Sequence, residues 1–147
     1  MSEKDVIMET AKMLSNYNGQ LLNNTQIKKQ FGSVAGGSDI CCIINTHVFL
    51  ITFKWDNGTM SANNTILFLK ACNIIETAVI QTTTNYKFYK VIISKKQGIQ
   101  VNANYINIYL NNNQLSPPDE VKYVLYQLYT YIKHISNQVH KASMHKH

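Results

Sequence analysis

The chain of 147 residues contains no arginine, so all fourteen of its basic side chains are lysine. With eight acidic residues, the formal net charge is +6. Arginine forms bidentate hydrogen bonds with guanine edges and phosphates, whereas lysine acts as a point charge. AT-rich coding DNA also produces a lysine-rich chain with abundant asparagine, isoleucine and tyrosine. The composition predicts a nucleic acid or other polyanion partner, bound through its phosphates rather than by its base sequence.

Long apolar runs and a secretory signal are also missing. The longest apolar stretches, Cys41–Ile44 and Val48–Phe53, are far shorter than the roughly 20 residues of a membrane span. The first residues, MSEKDVIMETAK, are charged. The three cysteines, Cys41, Cys42 and Cys72, form neither a C-x-x-C motif nor an even disulfide framework, which favours reduced core residues. We expect an intracellular protein with no membrane partner, in the cytoplasm, nucleus, an organelle or a virus-infected cell.

No repeat and no Pro- or Gly-rich linker divides the chain, and its length suits one domain with a single core. The order of periodic segments predicts an α/β domain with a mixed sheet flanked by helices. We expect this domain to span residues 1–137, followed by a flexible tail with histidine and lysine at 138–147. The predicted helices are Asp5 to about Tyr17, Ser61 to Ile80, and Glu120 to about Ser136, and the predicted strands are Asp39–Ile44, Val48–Trp55, Lys87–Ser94 and Tyr105–Leu110. Residues 23–37 are predicted to be a loop or short strand.

The most informative residues are Gly36-Gly37-Ser38-Asp39 and Ile51-Thr52-Phe53-Lys54-Trp55. An aspartate opens one predicted strand and a lysine closes the next, and a turn at 56–58, a helix and another strand follow. In this order the segment from Ser38 to Ser94 resembles the PD-(D/E)XK nuclease superfamily. Within it, the segment is similar to the Mrr-like restriction endonucleases and the archaeal-type Holliday-junction resolvases.

The resemblance implies a restriction-endonuclease-like core and a metal-dependent DNA endonuclease. Asp39 would be a ligand of Mg²⁺ or Mn²⁺, and Lys54 would be the catalytic lysine. Such a metal polarises the phosphate and lowers the pKa of the attacking water, and the lysine stabilises developing charge. The family's second acidic position is Thr52 here, so the remaining acid would come from a helix, with Glu76 and Glu9 as the candidates.

Other interpretations of these residues stay open. Asp39 can be a turn residue, Lys54 a solvated strand end and Glu76 a surface or capping acid. His140, His145 and His147 can belong to a metal-binding tract or to a loose tail. The alternative function is a non-catalytic nucleic-acid-binding or structural protein. This includes a divergent ribosomal protein, because the segment around Ile44–Val48 also resembles the eleventh small-subunit ribosomal protein.

The last predicted helix combines an aliphatic stripe with four tyrosines, at positions 123, 126, 129 and 131. A tyrosine has a large apolar body and a hydroxyl group that tolerates water, which suits a partly exposed contact surface. Nucleases that cut both strands commonly pair two active sites by twofold symmetry. We therefore expect a homodimer built partly on this helix, with packing of the tyrosines on a monomer core as the alternative.

Overall fold

The computed structural model describes residues 1–56, 59–81, 85–111 and 114–145, with side chains as far as Ile135, and these residues have the predicted α/β fold. The described residues form four helices and a five-stranded mixed sheet. The helices are α1 Glu3–Leu14, α2 Asn24–Phe31, α3 Ala62–Ile80 and α4 Pro117–His145, and the strands are β1 Gln20–Asn23, β2 Ile40–Ile44, β3 His47–Lys54, β4 Lys87–Ser94 and β5 Ile106–Ile108. A 3₁₀ turn, Ser33–Gly37, connects α2 to β2.

The sheet has the strand order β1-β2-β3-β4-β5. The first three strands form an antiparallel meander, while β4 and β5 run parallel to β3. A turn at Asn45, which has a φ of 55°, joins β2 to β3. The predicted antiparallel pairing of β2 with β3 and the predicted position of β4 beside β3 are both confirmed.

Each face of the sheet buries its own apolar cluster because side chains alternate along a strand. On one face, Phe49 and Ile51 of β3 pack with α1 and α4. On the other, Val48 and Leu50 pack with Ile27 of α2 and with α3. The predicted packing of α3 on the sheet is therefore confirmed. No helix in the described residues is both long enough and apolar enough to cross a membrane.

Three segments differ from the sequence-based predictions. The segment 23–37, predicted as a loop or short strand, contains all of α2, which begins at a capping box formed by Asn23 and Gln26. Helix α4 continues to His145, into the predicted tail, because no glycine or proline after Pro118 ends it. Strand β5 is limited to Ile106–Ile108. Of the turn predicted at 56–58, Asn57 and Gly58 lie outside the described residues, as do the last two residues of the tail.

Candidate active site

Asp39 and Lys54 line the same cleft, at the edge of the sheet where β2 begins and β3 ends. The cleft has a volume of about 240 Å³. One water occupies about 30 Å³ in the liquid, so the cleft has room for a phosphate group together with water. Its lining residues come from α1, β3, the approach to β2, the segment before α3 and the first two turns of α3: Glu3, Gly37, Asp39, Thr52, Phe53, Lys54, Met60, Asn64, Leu67 and Phe68.

The period of two along each strand brings the polar side chains of the cleft to one face. Thr52 and Lys54 share the face of Val48 and Leu50, which is the face covered by α3. Gly37 lets α3 approach the start of β2. A Cβ at that glycine would lie 3.0 Å from both the Cβ of Ala71 and the carbonyl oxygen of Leu67. The short glycine-rich motif therefore closes one wall of the cleft against the helix.

The Asp39 carboxylate is held by the end of β3. Its Oδ2 accepts a hydrogen bond of 2.9 Å from the backbone N–H of Phe53 and one of 3.1 Å from the hydroxyl of Thr52. Burial raises the pKa of Asp39 above its usual value, these two hydrogen bonds lower it, and the nearby charge of Glu3 raises it. The ionised form of a carboxyl group in this environment is stabilised by any cation that reaches it.

Thr52 therefore has a defined role at the position where the resemblance implies an acid. A hydroxyl group is a poor ligand for Mg²⁺ compared with a carboxylate. Its hydrogen bond instead orients Asp39.

Glu3 is the second carboxylate of the cleft, and the sequence analysis did not single it out. It lies in the first turn of α1, and its Oε1 accepts a hydrogen bond of 2.8 Å from the backbone N–H of Trp55. The backbone N–H of Glu3 donates to Asp56 Oδ1 over 3.1 Å. These two hydrogen bonds tie the start of α1 to the end of β3. The capping box formed by Ser2 and Asp5 was the available signal, because it shows where α1 begins.

The two helix acids named from the sequence do not line the cleft. Glu9 is exposed on α1, six residues beyond Glu3. Glu76 forms an ion pair with Lys90 of β4, with 3.8 Å between Oε2 and Nζ. It lies eight residues beyond Phe68, which corresponds to about 12 Å along α3. Of the four site residues named from the sequence, the structure brings Asp39 and Lys54 together in the cleft.

The donor set of the cleft fits a hard cation better than a soft one. Asp39 and Glu3 offer carboxylate oxygens, and Mg²⁺ is commonly bound by one or two carboxylates with water and substrate phosphate completing its shell. The described residues contain no group of three or more His, Cys, Asp or Glu side chains that could share a metal ion. The cysteines are buried and free, as expected for core residues. Burial raises the pKa of Cys41 and Cys72 to about 12 and that of Cys42 to about 11, so these thiols stay protonated near neutral pH.

Comparison of the chain with protein-family models, with curated proteins and with solved structures finds no match in any of the three.

Proposed function

We propose that the protein is a metal-dependent DNA endonuclease of the PD-(D/E)XK type, which hydrolyses phosphodiester bonds in the cleft between Asp39 and Lys54. The observation that carries this proposal is the joint position of Asp39, Lys54 and Glu3 in one cleft. The element order also supports it, because a helix, an antiparallel meander, a helix and a parallel strand frame the two motif residues. Glu3 is not among the residues that carry the resemblance, so its place in the cleft supports the proposal independently.

In this proposal Asp39 and Glu3 would hold Mg²⁺ or Mn²⁺. When bound, the ion supplies Lewis-acid polarisation of the phosphate and lowers the pKa of the attacking water. Lys54 places a positive charge at the end of β3, where it stabilises the negative charge that develops on the phosphoryl oxygens. Thr52 and the Phe53 N–H keep the Asp39 carboxylate in position for these events.

The substrate is recognised by its backbone or its branched shape. Phosphate contacts position a protein on DNA without carrying sequence information. Lysine replaces arginine throughout the chain as the charged partner for such contacts, and the bidentate arginine pairing with guanine is excluded. Branched and supercoiled DNA are therefore the proposed substrates.

The active form is proposed to be a homodimer that pairs two clefts. Tyr126 and Tyr129 of α4 support this proposal because 65% and 42% of their surfaces are exposed. Lys133 lies over the Tyr129 ring, with its Nζ 5.8 Å from the ring centroid. A solvent-facing pair of aromatic rings on one helix is a suitable contact surface between two copies.

The experiment is cleavage of supercoiled and four-way-junction DNA in Mg²⁺ or Mn²⁺. We expect the wild-type protein to cleave both substrates. Each of the variants Asp39→Asn, Lys54→Gln and Glu3→Gln is expected to lose this cleavage. Glu9→Gln and Glu76→Gln are the matched controls, since each makes the same chemical change on a helix carboxylate outside the cleft. Equal cleavage by wild type and the three cleft variants would refute the proposal and indicate a contaminant or another site.

The second candidate is a catalytically degenerate relative that binds nucleic acid without cutting it. The replacement of an acid by Thr52 favours this candidate, because β3 then carries no carboxylate at the position where the family pattern has one. DNA that is retained but never cut, with an affinity that falls steeply as salt rises, would favour the degenerate relative over the active enzyme. Absence of both cleavage and DNA binding would overturn both candidates and favour a structural protein.

A further inference from the structure

A lysine-bearing loop follows β4 directly beside the cleft. The loop comprises Lys95, Lys96, Gln97 and Gly98, and is called the 95–98 loop below. Ser94, the last residue of β4, is the register partner of Lys54 in the parallel pair of β3 and β4. Neighbouring strands lie about 4.8 Å apart and consecutive Cα atoms about 3.8 Å apart, so the Cα atoms of both loop lysines lie within roughly 12 Å of that of Lys54.

The backbone of the 95–98 loop is held in one conformation by Asn107 of β5. The Asn107 Nδ2 donates to the hydroxyl of Ser94 over 3.0 Å and to the carbonyl of Ile92 over 3.1 Å. Its Oδ1 accepts a hydrogen bond of 2.7 Å from the backbone N–H of Gly98. The Ser94 hydroxyl in turn donates to the carbonyl of Lys96 over 2.6 Å. A single amide side chain thus connects both ends of the loop to the sheet.

The loop is also attached to the wall of the cleft. The backbone N–H of Ile99 donates to the carbonyl of Met60 over 3.1 Å, and Met60 lines the cleft. A Cβ at Gly98 would lie 3.2 Å from the Cβ of Met60 and 3.3 Å from Asn107 Oδ1, so glycine permits the close approach. The carbonyl of Lys95 accepts a hydrogen bond of 3.2 Å from the N–H of Leu110. These contacts keep the loop next to the cleft.

The two loop lysines are not neutralised by carboxylates. The ion pair between Lys90 and Glu76 is the only one in the part of the chain that the structure describes. The Lys95 Nζ lies 5.6 Å from the centroid of the Trp55 ring, which restricts its side chain, and Lys96 is exposed. With Lys54, the ends of the two central parallel strands carry three lysines on an ordered backbone, Lys54 on the face covered by α3 and Lys95 beside Trp55 of the opposite apolar cluster. Binding a polyanion there requires little further ordering of the chain.

We propose that the 95–98 loop binds the phosphates that flank the scissile phosphate, and that Asn107 sets the position of this loop. The inference rests on the proposed function, because it takes the cleft as the place where a nucleic-acid backbone is bound. A DNA strand carries one phosphate per about 3.4 Å of helix axis. A strand that lies over Lys54 therefore has several phosphates within the roughly 12 Å that separate the Cα atom of Lys54 from those of the loop lysines. The loop thereby extends the substrate contact beyond the cleft and favours a continuous phosphate backbone over a mononucleotide.

The test is binding of a fluorescein-labelled four-way DNA junction, measured by anisotropy in EDTA across about 50 to about 200 mM salt. Each lysine that contacts a phosphate contributes a slope of about 1 to the plot of log affinity against log salt. We therefore expect the double variant K95Q/K96Q to lower the slope by about 2, and the control Lys12→Gln, at the far end of α1, to leave it unchanged. Competition by a mononucleotide is expected to be weak for wild type.

A second pair of variants tests the position of the loop without changing charge. Asn107→Ala is expected to weaken junction binding and lower the salt slope, whereas Asn111→Ala removes an amide hydrogen bond to Tyr123 outside the loop and is expected to have no effect. A slope in K95Q/K96Q equal to that of Lys12→Gln would overturn the loop proposal while the cleft proposal stands. Failure of wild type to bind the junction would overturn both the loop proposal and the proposed function.

Discussion

Replacement of Asp39 by asparagine and by alanine separates the structural from the electrostatic role of this carboxylate. Asparagine keeps an oxygen that can accept the hydrogen bonds from the Phe53 N–H and the Thr52 hydroxyl, and it removes the buried charge. Alanine removes the acceptor entirely and leaves the N–H of the largely buried Phe53 without its partner. A buried donor without a partner costs about 1–3 kcal/mol. We expect Asp39→Ala to be less stable than Asp39→Asn by about this amount.

The raised pKa of Asp39 also predicts how the stability of Asp39→Asn relative to wild type depends on pH. Because the pKa in the folded state lies above the usual value of 3.8, ionisation of the wild-type carboxyl group destabilises the folded protein. The protonated carboxyl group makes its full contribution to the free energy of unfolding below the unfolded-state pKa. This contribution is lost as the pH rises through the folded-state pKa. Asp39→Asn should therefore match wild type at acidic pH and exceed it in unfolding free energy near neutral pH.

Thermal unfolding followed by circular dichroism measures both effects. A change of 1 kcal/mol shifts the Tm of a domain of this size by about 2–4 °C, so the two variants should differ by roughly 2–12 °C. A bound cation stabilises the folded state by about 2.7 kcal/mol at a hundredfold excess over its Kd. Mg²⁺ is expected to raise the Tm of wild type and to leave Asp39→Asn unchanged. Equal destabilisation by asparagine and alanine would show that the charge itself holds the end of β3, which refutes this reasoning.

Three further predictions concern the wall of the cleft, a buried histidine and the assembly. Gly37→Ala is expected to lower the unfolding free energy by about 1–3 kcal/mol through overpacking against α3, whereas Gly36→Ala meets only the flexible Lys28 side chain and should be near neutral in urea titrations. Burial and the charge of Lys87 lower the pKa of His47, so the folded wild type should lose unfolding free energy as the pH falls below the usual pKa of histidine. Thermal melts at several pH values should show a smaller loss for His47→Gln. Sedimentation equilibrium should give twice the monomer mass of 16.8 kDa for wild type and a monomer for Tyr126→Ser with Tyr129→Ser; a wild-type monomer, or a dimer unaffected by these changes, would contradict the homodimer.

The strand pattern of the sequence was sufficient to predict the central strands and to name two residues, Asp39 and Lys54, that line the cleft. Runs of β-branched and aromatic residues predicted β2, β3 and β4, and the structure has all three within one or two residues of the expected ends. The glycines before Asp39 and the lysine at the end of β3 were local signals for the cleft. Such signals are visible in a sequence because a strand imposes a period of two whatever surrounds it.

Short elements were less predictable than the central strands. Strand β1 and helix α2 have few apolar residues, and their place in the domain depends on contacts with β2 and the 3₁₀ turn. The fixed conformation of the 95–98 loop likewise depends on Asn107, nine residues beyond Gly98 and on another strand. Contacts at such separation leave no periodic signal in the chain.

The tertiary structure alone decided which helix carboxylate reaches the cleft. Glu3 and Glu9 are six residues apart, which places them about 9 Å apart along α1 and on different sides of it. The sequence shows that both are helical acids, but the docking of α1 on the sheet determines that Glu3 meets the end of β3 while Glu9 faces solvent. Glu76 likewise pairs with Lys90 because of where α3 crosses β4. The sequence by itself determined the strands and the residues they carry, whereas the packing of helices on the sheet determined which helix residues line the cleft.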